Sequence, residues 1–278
     1  MTTYTPVMQT GWLARRERIL AVARRHVYVL QRSPHRLFDV TLWPIVDALL
    51  FGSMGVFFAR NSSTPGAART ASAYLLVGIV LWHVVYQSQI ALSTGFLEET
   101  WSRQLLSLMV TPLREWEYVA GVALFGLVKL VLGVGSVALL AFVAYSFNVT
   151  TLGFALIPVV LVLLVVGWVV ALFVVGLVLR FGSGAEALAW GILFVLMPLS
   201  GVFYPIKALP GPLQPLAQIL PTTHAFAAGR QLLLGHGTPW REMGIATVSS
   251  IGCLVVVLAY VTYMLRLFRH RGYVTRYS

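Results

Sequence analysis

The sequence predicts an all-α integral membrane protein: six transmembrane helices, an N-terminal interfacial amphipathic helix, and a short outer helical hairpin between spans 5 and 6. Three observations carry that expectation. The 278 residues are 58% hydrophobic and only 10% charged, with a mean hydropathy of +0.83. A soluble domain carries about 25% charged residues with which to face water. The apolar residues gather in six runs, most of them near or above the roughly 20 residues a helix needs to cross a bilayer. The charge that is left is basic, eighteen Arg and two Lys against nine acids, for a net +11. It sits in the flanks of the apolar runs, so anionic headgroups rather than nucleic acid are its natural partner.

Taken in order, residues 1–36 read as a cytoplasmic tail. On a helix over 11–32, Trp12, Ile19, Ala23, Val27 and Leu30 share a face, and Arg18, Arg25 and Arg32 recur every seven residues on the opposite one. A basic face backed by an aromatic and aliphatic face suits a helix lying in the headgroup layer; the plainer alternative is a solvated basic helix. The segment lacks the short apolar core and cleavage site of a signal peptide. Ser33-Pro34 ends it.

A transmembrane domain is expected over 37–267, with spans at 37–59, 71–94, 118–147, 152–179, 187–204 and 243–267, then a basic cytoplasmic tail, 268–278. Six spans put both termini on one side. With the termini inside, inner segments hold fourteen Arg and Lys and outer segments five, which places the termini in the cytoplasm of a bacterial cell. No internal repeat is visible, which counts against the inverted-repeat design of many secondary transporters. The outer segment 205–241 is punctuated by proline and fits two short helices, 213–220 and 223–234, neither long enough to cross.

The inner segment 95–117 holds four of the nine acids, Glu98, Glu99, Glu115 and Glu117. As a helix it places Leu97, Trp101, Leu105 and Leu108 on one stripe, and Glu99, Ser102 and Arg103 away from it. Thr111-Pro112 stops it. Its form is that of a docking element; the plain alternative is a solvated loop helix lying on the headgroups.

Asp47, His83, Gln87 and Lys129 fall deep within the spans. Charges at that depth are costly and face a partner or a wet cavity. An Asp47–Lys129 ion pair would offset both costs and is the favoured reading; polar lining of a substrate path is the other. His83 has no nearby Cys or second His, so no metal is expected. Cys253 is the single cysteine, which rules out an internal disulfide. No nucleophile–base–acid set stands out, Gly182-Ser183-Gly184 lacks the setting of a hydrolase elbow, and no phosphate-binding loop ends in Lys-Ser or Lys-Thr. No catalytic residue or cofactor is therefore assigned.

The series Glu98-Glu99, Arg103, Leu105-Leu106 and Thr111-Pro112-Leu113 resembles the cytoplasmic coupling segment of type-2 ABC exporter permeases. Pro198 to Pro205 (PLSGVFYP), Ala208-Leu209-Pro210 and Leu220-Pro221-Thr222-Thr223-His224 resemble a second hallmark of that family. The resemblance implies a permease without its own nucleotide site, acting as a homodimer or beside a sister permease over a cytoplasmic ATPase dimer that binds ATP and Mg. It implies coupling through Glu98, Glu99, Trp101, Arg103, Leu105, Leu106, Thr111 and Pro112, and an outer gate containing Tyr204, Pro205, Pro210, Pro221 and His224. One departure is Thr100-Trp101-Ser102-Arg103, where many relatives carry an Arg-Gly-Thr turn. The implied substrate is lipophilic or amphipathic: a drug, a lipid or a lipid-linked glycan. A self-contained ion-coupled transporter using Asp47, His83 and Lys129, and a membrane-embedded lipid-modifying enzyme, are the alternative classes.

Overall fold

A computed structural model describes residues 11–61, 67–101, 113–235 and 237–271. These residues form nine α-helices: α1 (Trp12–Gln31), α2 (Pro34–Arg60), α3 (Ala67–Trp101), α4 (Glu115–Tyr145), α5 (Leu156–Phe181), α6 (Ala187–Leu199), α7 (Gln214–Ile219), α8 (Pro221–Leu233) and α9 (Trp240–Arg271). No strand occurs among them.

Five helices are long and apolar enough to cross a membrane, over Pro34–Arg60, Ser72–Leu97, Trp116–Tyr145, Leu156–Phe181 and Trp240–Leu267. The expected span over 187–204 is instead the short helix α6, apolar over Trp190–Leu199. Its 13 residues reach only about 20 Å at 1.5 Å each. Gly201 explains the early stop. Its φ of 61° turns the chain out of the helix, and the chain beyond it folds back so that Tyr204 Oη donates to the Pro198 carbonyl at 3.0 Å.

Helix α3 is the post around which the others stand. Its spanning window is 89% buried, against 22% for α2 and 17% for both α4 and α9. α2, α4, α5 and α8 pack on it, and α9 packs on α5 and α8. The closest approach is between α3 and α5. A Cβ on Gly167 would overlap Ser88 Oγ, and Ser88 itself turns inward to donate to the Val84 carbonyl at 2.6 Å.

On α1 the sequence assigns Trp12, Ile19, Ala23, Val27 and Leu30 to a face suited to the headgroup layer. Against the bundle α1 buries Ala14, Val22, Ala23, His26 and Leu30, while Trp12 is 71% exposed. The face is rotated because α1 lies across α4 at Gly121, where an added Cβ would strike Val22 and the Ile19 carbonyl. Arg18 thereby leaves the outer basic face assigned to it and forks onto Glu117 of α4, with Nε to Oε2 at 2.9 Å and Nη2 to Oε1 at 2.7 Å. The hydrogen bonds to Glu117 hold the Arg18 guanidinium above its ordinary pKa. Glu117 also accepts the backbone N–H of Arg114 at 3.1 Å, and none of its side chain is accessible.

The fork should behave as a two-sided interaction. Arg18→Ala leaves a carboxylate without its counter-charge and should lower folded yield and melting temperature in detergent. Arg18→Met with Glu117→Gln should recover much of both. Equal melting of Arg18→Ala and the wild type would show that the fork does not hold α1 to α4.

Candidate functional site

The polar residues of the spans collect on α2 and α3. Asp47 lies at the midpoint of Pro34–Arg60, and His83 is near the middle of Ser72–Leu97. His83 Nε2 is 3.2 Å from Asp47 Oδ2, with 36% of the Asp47 side chain accessible against 1% for His83. The two are within ion-pair distance, but the contact is not aligned as a hydrogen bond, and neither ring nitrogen of His83 has a hydrogen-bond partner. The ring stands edge-on to Tyr86, with centroids 5.7 Å apart, and Tyr86 leans on Trp190 of α6 at 6.2 Å.

The expected Asp47–Lys129 tie is therefore replaced by Asp47–His83. The physical reason is level. Lys129 lies between Gly126, opposite Ala91, and Gly133, opposite Gln87. That position is beside the half of α3 leading to Trp101, below His83. There Lys129 Nζ sits 5.3 Å from the centre of the Phe125 ring, at a small cavity of about 110 Å³ that His26 and Arg36 also line.

Gln87 has a definite task. Pro44 lies inside α2 and has no N–H, so the Val40 carbonyl one turn earlier loses its normal helical donor. Gln87 Nε2 supplies one from α3 at 3.1 Å. Nothing in the sequence spacing ties Gln87 to Pro44; only the packing of α2 on α3 brings them together.

The outer segment forms the two short helices expected, α7 and α8, after two single 3₁₀ turns, Ile206–Ala208 and Gly211–Leu213. Pro205 and Pro210 precede those turns, and Pro221 opens α8. Ser200, after α6, meets Thr222 of α8 at 2.6 Å, both buried. His224 is held at both nitrogens. Nε2 faces the Gln218 carbonyl at 2.9 Å and so donates to it; Nδ1 faces the Glu242 carboxylate of α9 at 2.6 Å. A proton on Nδ1 or on the carboxylate closes that second contact. Arg230 stacks over the Tyr74 ring at 4.7 Å, and burial pushes its guanidinium down from the ordinary value. Tyr204, the prolines and His224 stand out in the sequence; Ser200, Thr222, Arg230 and Glu242 carry no signal of their own there and are joined to them only by the fold.

At the other end, α3 runs past the expected span end at Thr94 as one helix to Trp101. Gly95 lets Val122 of α4 approach, and Tyr118 Oη donates to its carbonyl at 3.3 Å. The first turns of the 95–117 segment are thus the continuation of α3, with Leu97 buried against Val174, Val178 and Ala185. Glu98, Glu99 and Trp101 fall on its last turn by backbone position. Arg103, Leu105, Leu106, Thr111 and Pro112 lie outside the described residues. Among the described residues, no group of His, Cys, Asp and Glu could hold a metal ion.

Gln87→Leu should strand the Val40 carbonyl and cost about 1–3 kcal/mol, the penalty for an unsatisfied buried acceptor. Adding Pro44→Ala restores an N–H to α2 and should return most of that loss in a thermal unfolding measurement. If Gln87→Leu is equally unstable with and without Pro44→Ala, the proline account of Gln87 fails.

In comparison with known proteins, the family model ABC2_membrane, described as ABC-2 type transporter, matches residues 8–234. The match runs from before α1 to the end of α8 and stops short of α9. No curated protein matches the chain.

Proposed function

Because the chain belongs to the ABC-2 type transporter family, we propose that it is the permease subunit of an ATP-driven exporter in a cell membrane. The observation that carries the reading is the family match over 8–234 on a bundle of five long apolar helices. The sequence has no phosphate-binding loop of its own, so ATP and Mg belong to a partner ATPase dimer beneath the membrane. The permease pairs with a second copy or a sister permease, and the path runs between the two. α6 and the outer segment 205–241 together complete a sixth passage and leave both termini in the cytoplasm. The substrate is lipophilic or amphipathic and leaves from the cytoplasm or inner leaflet. Tyr204, Pro205, Pro210, Pro221 and His224 belong to the outer gate.

Coupling is assigned to Glu98, Glu99, Trp101, Arg103, Leu105, Leu106, Thr111 and Pro112, which connect α3 to α4 on the cytoplasmic side. The alternative of a self-contained ion-coupled transporter draws on Asp47, His83 and Lys129, and it predicts transport by the chain alone under an ion gradient.

Two experiments test this. In a Cys253→Ser background, a cysteine at Ser63 or Gly237 should react with an impermeant maleimide on intact cells; one at Ser102 or Thr275 should react only after permeabilisation. Reaction at Ser102 from outside would overturn the orientation. Separately, Glu98→Lys with Glu99→Lys should insert normally yet co-purify less ATPase and lose substrate-stimulated hydrolysis, because charge reversal at an interface puts like charges together or removes a pair. Export at the wild-type rate by that variant would remove Glu98 and Glu99 from the coupling role.

A further inference from the structure

Asp47 is out of place as a purely structural residue. Of the nine acids in the chain it alone lies at the middle of a long apolar helix, the depth at which an ionised side chain is most expensive. A carboxylate that served only to tie two helices would be enclosed and closed by a hydrogen bond. Asp47 has over a third of its side chain accessible, and its contact with His83 is not aligned as one. His83 is the second, independent sign. Its ring is 99% buried beside the carboxylate, with both nitrogens unsatisfied. The acidic group at mid-membrane is thus left without an aligned hydrogen bond from His83.

The surroundings say what compensates it. Trp43 precedes Asp47 by one helical turn on α2 and is 54% exposed. Tyr86 and Trp190 continue the aromatic surface beyond His83. A carboxylate beside His83, with Tyr86 on that ring and Trp43 one turn away on the same helix, favours an organic cation, which aromatic rings attract through their faces and which needs no stripping of a tight hydration shell. A metal ion would want three or more ligating groups, and the described residues offer no such group here.

We propose that Asp47 and His83, with Trp43 and Tyr86, form a recognition site for a lipophilic organic cation, which narrows the transported class to cationic amphipaths. The proposal rests on the transport reading above for its biological sense, but the binding itself needs no ATPase.

The test uses the full chain in nanodiscs of zwitterionic lipid, with tetraphenylphosphonium as probe and tetraphenylborate as its isosteric anion. Equilibrium dialysis against empty discs should give saturable uptake of the cation and none of the anion. Asp47→Asn should weaken cation uptake about ten-fold or more, as expected on losing the charge partner, while Asp47→Glu keeps it. Should Asp47→Asn fail to fold, Trp43→Ala reads the same loss from an exposed position that the fold does not need. Absence of saturable cation uptake, equal uptake of the anion, or undiminished uptake by Asp47→Asn or Trp43→Ala would each overturn the site. None of these results bears on whether an ATPase docks at the end of α3, so failure here and failure of the permease reading are separately visible.

Discussion

Hydrocarbon offers no hydrogen bonds, so each polar group that enters the membrane must find its partner in protein. The architecture of this chain follows from that constraint. α3 carries His83, Gln87, Ser88, Gln89 and Ser93 within three turns, and all five are buried. Such a helix cannot stand on the lipid side of a bundle. It must be the central one, and the apolar helices α2, α4 and α5 must pack around it. The polar row then becomes useful. Ser88 folds back on its own helix where α5 comes closest. Gln87 reaches across to mend the break that Pro44 makes in α2. Without that neighbour a proline in the first span would leave the Val40 carbonyl unpaired in the least forgiving solvent a protein meets.

At the two membrane faces the constraint relaxes and charge does the organising. On one side the Arg18–Glu117 fork fixes α1 against the start of α4. On the other, His224 joins α8 to α9 through Glu242 and to α7 through the Gln218 carbonyl. These contacts are two-centred and charge-assisted, which makes them directional. They set where short helices lie on the bundle, a matter on which apolar packing alone is permissive.

The helical class and the position of the long helices were legible because apolar length is a strong, local signal. The ends of the elements were less so. Leu97 falls on the apolar stripe of the 95–117 segment, and it is buried, but as part of α3; Gly95 within it is a packing position. The span at 187–204 was misjudged for a related reason. Hydropathy continues through Leu199 to Tyr204, while the backbone turns out of the helix at Gly201, whose φ is 61°. Partner choice was the least legible. Asp47 and Lys129 are complementary in charge, yet depth along the bundle assigns Asp47 to His83. Seven-residue spacing set Arg18 on the outer face of α1, and a rotation to clear Gly121 turned it inward. Periodicity defines faces; it does not define which face a crossing helix will use.

The unbroken course of α3 also bears on how the two ends of the molecule communicate. Its 35 residues contain no proline and extend about 52 Å at 1.5 Å per residue. One end carries Glu98, Glu99 and Trp101; the middle carries His83 beside Asp47. Toward the other end, Gly78 lies against the Val202 carbonyl in the turn that leads into the outer segment. α2, by contrast, is interrupted at Pro44, one turn before Asp47. α3 thus runs without a proline from beside the turn at Val202 past His83 to Trp101, whereas α2 lacks one ladder hydrogen bond at Pro44, beside its mid-span acid, and borrows the donor from Gln87 of α3.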